Sequence, residues 1–410
     1  MYRCSVARKK RSTDTNLLTR PFFGTTIAEK VYEAFVKKIN KAVREISPFY
    51  VMELVRKAQR YEDTIHFEVG QPDLPPAPGV KKALLEAVEA ERFAYTESLG
   101  LRALREKIAA HYRREYGVQI DPGRILITPG TSLAFMVAYE LLLGPGDRLG
   151  LSDPSYPCYK NFAAMVDARI LTFPVGPHND YQLRPEDLGE AKLDVLHIAS
   201  PSNPTGTLYR AERLEALICH CEARGIAFVS DELYHGLVYE GRARTALEFS
   251  DEAIVINGFS KYFCMPGLRL GWMILPEALV RPAELIAQNL YIAAQTPAQY
   301  AALEAFDYAH LDRVRKTFRE RRDWLYGELS QLFTIDAKPD GAFYLWCNVS
   351  AYSDDAVAFS EELLQRLHIA VTPGIDFGER EARKYLRFAY TRSIEHMAEG
   401  IERLKQYLKG

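Results

Sequence analysis

From about residue 124 the chain alternates short apolar runs with longer stretches of helical period. The short runs are Arg124–Thr128, Arg148–Ser152, Arg169–Phe173, Asp194–Ala199, Ile226–Ser230, Ala253–Gly258 and Leu270–Leu275, and each reads as a strand. Amphipathic segments such as Ala211–Ala223 separate several of them. Parallel neighbours need a crossover long enough to hold a helix, so this alternation predicts an α/β fold with a mostly parallel sheet covered by helices. Ligands in such sheets bind outside the carboxyl ends of the strands. Thr131, Tyr156, Asn203, Asp231 and Lys261 all fall at or just beyond those ends, which predicts a polar site on one side of the sheet.

The pattern changes after about Leu311. A long charged helix, Asp312–Leu332, leads to strands at Ala342–Asn348 and Tyr385–Tyr390 and helices at Asp355–Leu367 and Ser393–Leu408. Glu29–Arg60 is helical in period and is expected to pack on this second set. The organisation expected is a basic, flexible arm at 1–24, a smaller α+β domain from 25–70 and 311–410, and a large domain at 71–310. Gly70 to Gly79, rich in proline, reads as a linking loop.

Charge and composition exclude several functions. A net charge of −2 on 410 residues gives no field that favours nucleic acid or an anionic membrane. No apolar run approaches the length of a membrane span, and the most apolar helical stretch, Leu133–Leu143, is short and carries Glu140. Cys4, Cys158, Cys219, Cys221, Cys264 and Cys347 are scattered as in a reducing, cytoplasmic protein. Cys219-His220-Cys221 lies in a helical pattern, where neighbours two apart diverge, so no metal site is expected. Arg3, Arg8, Lys9, Lys10, Arg11 and Arg20 are opposed only by Asp14 in the first residues; transit peptides share that balance, but a loose basic arm or a translation start placed too early accounts for it better.

Lys261 carries the chemistry. It follows the apolar run from Ala253 within Asn257-Gly258-Phe259-Ser260-Lys261, and Arg269 stands between glycines eight residues on. Burial disfavours the ammonium form, so a lysine in such a place becomes a nucleophile able to form an imine with an aldehyde. Ser260 and Arg269 beside it suit the phosphate of that aldehyde, which describes a pyridoxal 5'-phosphate site. Asp231, at the end of an apolar strand, is the carboxylate that would keep the ring nitrogen protonated. Asn203 and Tyr234 can donate to the ring hydroxyl, and Pro129-Gly130-Thr131-Ser132 leads into a helix whose amino end attracts anions. Each residue also has a structural reading. Asp231, Thr131 or Ser132 could be plain helix caps, Asn203 a turn before Pro204, Arg269 a surface ion pair and Tyr156 a core aromatic.

The ordered set resembles the class I and II aminotransferases, the fold-type-I pyridoxal phosphate family. Asn203-Pro204-Thr205-Gly206, the pair Asp231 and Tyr234, and Lys261 with Arg269 match that family's motifs in order and spacing, from about Gly70 to Arg387. The resemblance implies a large domain with a mostly parallel seven-stranded sheet plus a smaller α+β domain. It implies Lys261 as covalent anchor and proton carrier, and Asp231 on the ring nitrogen. Asn203 and Tyr234 fall on the ring oxygen, and Thr131, Ser132, Ser260 and Arg269 on phosphate. Tyr156 is implied to stack on the ring, Arg387 to clamp the substrate carboxylate together with Asn203, and Gly70 to lie in a loop that closes over substrate. Tyr95 matches a tyrosine that reaches the phosphate of a neighbouring subunit, which implies a homodimer with shared sites. The family often has a hydroxyl three residues before the lysine; Gly258 stands there, which implies one phosphate contact fewer. The activity implied is transfer of an amino group from an L-amino acid to a 2-oxo acid by a ping-pong mechanism. A carbon–sulfur β-lyase uses the same lysine. An aminotransferase-like ligand sensor would need a separate DNA-binding domain, for which the first 24 residues are too short.

Overall fold

A computed structural model describes residues 40–409, so the basic arm and the first part of the Glu29–Arg60 stretch lie outside the described residues. A two-residue strand, β1 (Ile65–His66), precedes the main sheet. That sheet holds β2 (Ile125–Thr128), β3 (Arg148–Asp153), β4 (Arg169–Pro174), β5 (Val195–Ala199), β6 (Ala227–Asp231), β7 (Ile254–Gly258) and β8 (Gly271–Ile274). The spatial order is β2-β8-β7-β6-β5-β3-β4. All neighbours run parallel except β8, which is antiparallel to both β2 and β7. Each of the seven apolar runs forms one of these strands.

Burial on both faces explains why the central strands read as near-continuous apolar runs. Successive side chains point to opposite faces. Leu126, Val229, Ile254, Ile256 and Met273 pack under helices Thr131–Leu142, Cys158–Met165 and Glu277–Leu290. Ile127, Phe228, Val255, Trp272 and Ile274 join the opposite core with helices Arg102–Tyr116 and Ala211–Arg224. Cys219 is exposed and Cys221 buried on the last of these helices, so the two thiols diverge.

The later elements build a second layer. Strands β9 (Tyr344–Asn348), β10 (Ile369–Ala370), β11 (Thr372–Pro373) and β12 (Tyr385–Ala389) follow the helix Tyr308–Leu329. β12 lies between β11 and β9 in an antiparallel sheet, while β10 pairs in parallel with β1. Tyr308–Leu329 begins earlier than the sequence pattern suggests because the Asp307 side chain accepts from the His310 amide and caps it.

The 29–60 stretch is not one helix over its described part. It forms Lys41–Glu45 and Tyr50–Ala58, separated around Pro48, which disfavours helical backbone in the residue before it. In that break the Ser47 amide and hydroxyl both donate to Asn161 Oδ1. Leu54 and Ala58 then seat the second helix on Leu364 and Ala370. Among the described residues no helix is long and apolar enough to cross a membrane.

Candidate active site

The carboxyl ends of β2, β3, β5, β6 and β7 converge with β12 on one cavity of about 360 Å³. Its walls include Gly70, Thr131, Ser132, Tyr156, Asn203, Asp231, Tyr234, Ser260, Lys261, Arg269 and Arg387, which lie far apart in sequence. Of the candidates named from sequence, only Tyr95 is not among its walls; it stands 75% exposed on the surface. A larger cavity of about 600 Å³, lined by Asp180, Arg210 and Lys338 among others, contains none of these groups.

Lys261 sits in the turn after β7, and its Nζ donates to the Gly70 carbonyl at 2.6 Å. Burial pulls its pKa down to about 8, with help from the Arg387 and Arg269 charges and partial opposition from Asp231. Gly70 cannot carry a side chain, because a Cβ there would stand 2.0 Å from the Tyr344 hydroxyl.

Asp231 ends β6 and is buried. One oxygen accepts from the Tyr159 hydroxyl at 2.5 Å, the other from the Leu233 amide at 3.0 Å. No helix starts at Glu232, so Asp231 is not a helix cap. Burial raises its carboxyl to about 6, while the Tyr159 and Leu233 hydrogen bonds and the Lys261 charge act in the other direction.

A third corner is built for an anion. Helix Thr131–Leu142 has Gly130 as its N-cap, at φ +81°, and no side chain caps it. Neither Thr131 nor Ser132 is therefore a cap, and no side chain covers the amides of that first turn. A Cβ on Gly130 would lie 2.6 Å from Arg269 Nη2, so only glycine lets the guanidinium lie against this turn. Arg269 donates to the Pro266 carbonyl at 3.1 Å and forms no ion pair among the described residues. Gly258 has a steric reason: a Cβ there would come within 2.9 Å of Thr131 Cγ2 and 3.2 Å of the Gly271 Cα. The Thr131 methyl occupies the room that a longer residue at 258 would need.

Opposite this corner, Arg387 on β12 is buried, with its guanidinium carbon 4.2 Å from the Tyr344 ring centroid and 4.7 Å from that of Phe377. It donates to Asn203 Oδ1 at 2.9 Å and to the Glu68 carbonyl at 2.7 Å, and its Nε has no partner. Tyr234 shares a 2.8 Å hydrogen bond with Tyr344. Tyr156 meets Tyr159 edge-on at 5.3 Å.

Tyr159, Tyr344 and Phe377 were not picked out from sequence. Tyr159 had a faint signal, a second tyrosine at the start of the helix after Tyr156. Tyr344 and Phe377 had none, since their contacts with Arg387 arise only from the pairing of β9, β11 and β12.

The sequence profile of the family described as "Aminotransferase class I and II" matches residues 62–404. The chain belongs to that family. A valine–pyruvate aminotransferase of Mycobacterium tuberculosis is 33% identical over 376 residues, covering 88% of this chain and 97% of the relative. A (5-formylfuran-3-yl)methyl phosphate transaminase of Methanocaldococcus jannaschii is 35% identical, covering 90% of this chain and 99% of its own length. A crystal structure of a putative aminotransferase from Silicibacter pomeroyi superposes with a TM-score of 0.85 at 40% identity, covering 90% of this chain and 99% of that one. The protein is thus an aminotransferase of fold type I that depends on pyridoxal phosphate. The cavity fits that cofactor: a lysine of lowered pKa, a buried strand-end carboxylate, and an uncapped helix start with an arginine that pairs with no acid among the described residues.

Proposed function

We propose that this aminotransferase moves an amino group from an L-amino acid to a 2-oxo acid by a ping-pong route in which one site serves both halves. One observation carries the reading. Arg387 is a buried cation bound only by neutral oxygens, in the same cavity as an amine of depressed pKa. An α-amino acid supplies the carboxylate that the first lacks and the amine that the second can exchange with.

Bound pyridoxal phosphate supplies an electron-withdrawing ring that stabilises negative charge at the substrate α-carbon. The roles of the chain's own residues follow from position. Lys261 Nζ anchors the cofactor and, once freed, carries a proton from the substrate α-carbon and gives it back elsewhere. Asp231 would hold the ring nitrogen protonated, with Tyr159 and the Leu233 amide keeping the carboxylate oriented. Asn203 and Tyr234 would address the ring oxygen, Tyr156 would cover the ring face, and Thr131, Ser132, Ser260 and Arg269 would hold the phosphate. Arg387, steadied by Asn203 and the Glu68 carbonyl, grips the α-carboxylate, and the loop at Gly70 closes the site.

The working unit is a homodimer in the cytoplasm, with domains at 25–70 plus 311–410 and at 71–310. Exposed Tyr95, Phe93, Leu85 and Val88 cluster in sequence and favour burial against a second copy, where Tyr95 would reach the partner's phosphate. The named activities of the relatives support amino transfer. The test is steady-state kinetics of reconstituted protein with amino donor and oxo acid varied together. Parallel reciprocal plots are expected. Release of pyruvate and ammonia from a cysteine conjugate without any oxo acid requirement would show a lyase instead.

A further inference from the structure

We infer that the substrate side chain lies on an apolar wall formed by Phe49, Val51, Met52, Val55 and Phe377, so that the donor is an amino acid with an uncharged, apolar side chain rather than a dicarboxylic one. This rests on the assignment of Lys261 and Arg387 above.

Those two residues fix the amine and the carboxylate, and the anion corner at Gly130 and Arg269 is taken by the phosphate. The remaining side of the cavity runs from Tyr156 to Arg387. The Phe49 ring lies 6.5 Å from that of Tyr156. Asp376 then accepts from the Tyr50 and Val51 amides at 2.9 and 3.0 Å and pins the start of the Tyr50–Ala58 helix over the cavity. Phe377, next in sequence, completes the wall against Arg387. The helix is apolar on two faces. Leu54 and Ala58 are buried against Leu364 and Ala370, whereas Val51, Met52 and Val55 line the cavity. Met52 is 63% exposed there, an apolar side chain at the mouth with nothing covering it among the described residues.

The charges point the same way. The cations that line the cavity are Lys261, Arg269 and Arg387, and each already has a task. No further lysine or arginine of the same subunit lines it among the described residues. The charged group held against this wall is Asp376, which would repel a second carboxylate. Each buried methylene is worth about fourfold, and an unpaired buried carboxylate loses more than that. Leucine or methionine should therefore exceed aspartate and glutamate in kcat/KM by about 100-fold or more.

The experiment has two arms on the reconstituted holoenzyme. Single-turnover bleaching of the cofactor is measured with leucine, methionine, aspartate and glutamate, for the native chain and for Met52→Arg. Calorimetric titration with 4-methylpentanoate and with succinate reads binding without reaction. A preference for the apolar acids in both arms, with Met52→Arg shifting the ratio toward the dicarboxylates by tenfold or more, is the expected result. Equal or faster reaction of aspartate, tighter binding of succinate, or an unchanged ratio in Met52→Arg overturns the inference while leaving amino transfer intact. Bleaching by no amino acid removes the transaminase reading, and the titrations then decide the wall alone.

Discussion

Replacing Arg387 by methionine separates what this residue does for the reaction from what it does for the fold. The guanidinium is flanked by Tyr344 and Phe377 and hydrogen-bonds to no acid among the described residues, although its charge reaches the Asp376 carboxylate. A substrate carboxylate about 4 Å away at an effective dielectric of about 20 interacts by about 4 kcal/mol. At about 1.4 kcal/mol per decade that is a loss of about 10³ in kcat/KM. Stability should behave differently. Methionine removes a desolvated charge whose burial costs several kcal/mol, but it also strips the donors from Asn203 and the Glu68 carbonyl, at about 1–3 kcal/mol for each acceptor left unmet. These contributions oppose one another, so the melting temperature of the cofactor-free protein should move little. Arg387→Lys keeps the charge and loses the planar fork, and about 10–100-fold is expected. The assay is single-turnover bleaching with leucine and with isoamylamine, which lacks the carboxylate. Arg387→Met should lower the ratio of the two by about 10³. A kcat/KM for leucine within tenfold of the native value, or an equal loss with both compounds, refutes the reasoning.

Lys261→Met tests the buried amine by pH. The folded pKa of about 8 lies below the ordinary lysine value of 10.5, so protonation favours the unfolded chain. That penalty is fully present below about pH 8 and fades as the pH rises through the unfolded value, so Lys261→Met should raise the melting temperature at pH 7 and not at pH 11. A gain that persists unchanged at high pH would contradict this. Asp231→Asn leaves Tyr159 and the Leu233 amide in place but removes the charge opposite the ring nitrogen. Loss of about 3–5 kcal/mol predicts bleaching slower by about 10²–10⁴, and a rate within tenfold of native would remove Asp231 from its role. Gly258→Ser should weaken cofactor binding about tenfold through its contact with Thr131 Cγ2. Thr131→Ser, which deletes that methyl, should recover part of the loss, and strict additivity in the double variant would dismiss the steric account.

The main sheet was legible because each of its strands is a short apolar run with polar punctuation, and the site because the sheet topology sends strand ends to one place. Asp231 ends β6, and Lys261 and Asn203 lie in the turns just after β7 and β5, so knowing the strands located the residues. What sequence could not show is set by distance along the chain. Glu68, Tyr344 and Phe377 meet Arg387 only after β12 pairs with β9 and β11. β1, β10 and β11 have two residues each, too short for any period to register. The Tyr50–Ala58 helix looked like the end of a longer one, and its break at Pro48 is what turns Phe49 toward Tyr156. The alternative readings of Asp231 and Thr131 as helix caps were also open until the backbone around them was seen, since a cap and a ligand contact use the same residue types.

The cations and acids of this cavity influence one another through space but form no direct ion pair among the described residues, and that separation is the strongest physical argument for what the site is for. Lys261, Arg269 and Arg387 donate to the carbonyls of Gly70, Pro266 and Glu68 and to the Asn203 amide oxygen. Asp231 and Asp376 accept from a phenol and from backbone amides, and Glu68 from His66. A site built only for stability would gain by joining these charges, because a buried cation without a counterion is destabilising. Joined, they would also have to be parted before any anion could bind, and the cost of parting them would come out of its affinity. Held apart by neutral partners, the cations keep their orientation and their unmet charge for a phosphate at one end and a carboxylate at the other. The acids are withheld for the same reason, Asp231 for a protonated ring nitrogen and Asp376 for the helix that walls the substrate. Introducing an acid within reach of Arg387, as in Phe377→Glu, should therefore raise thermal stability while it lowers carboxylate affinity by at least tenfold. If that variant bound 4-methylpentanoate as tightly as the native chain, the separation of charges would have no bearing on recognition.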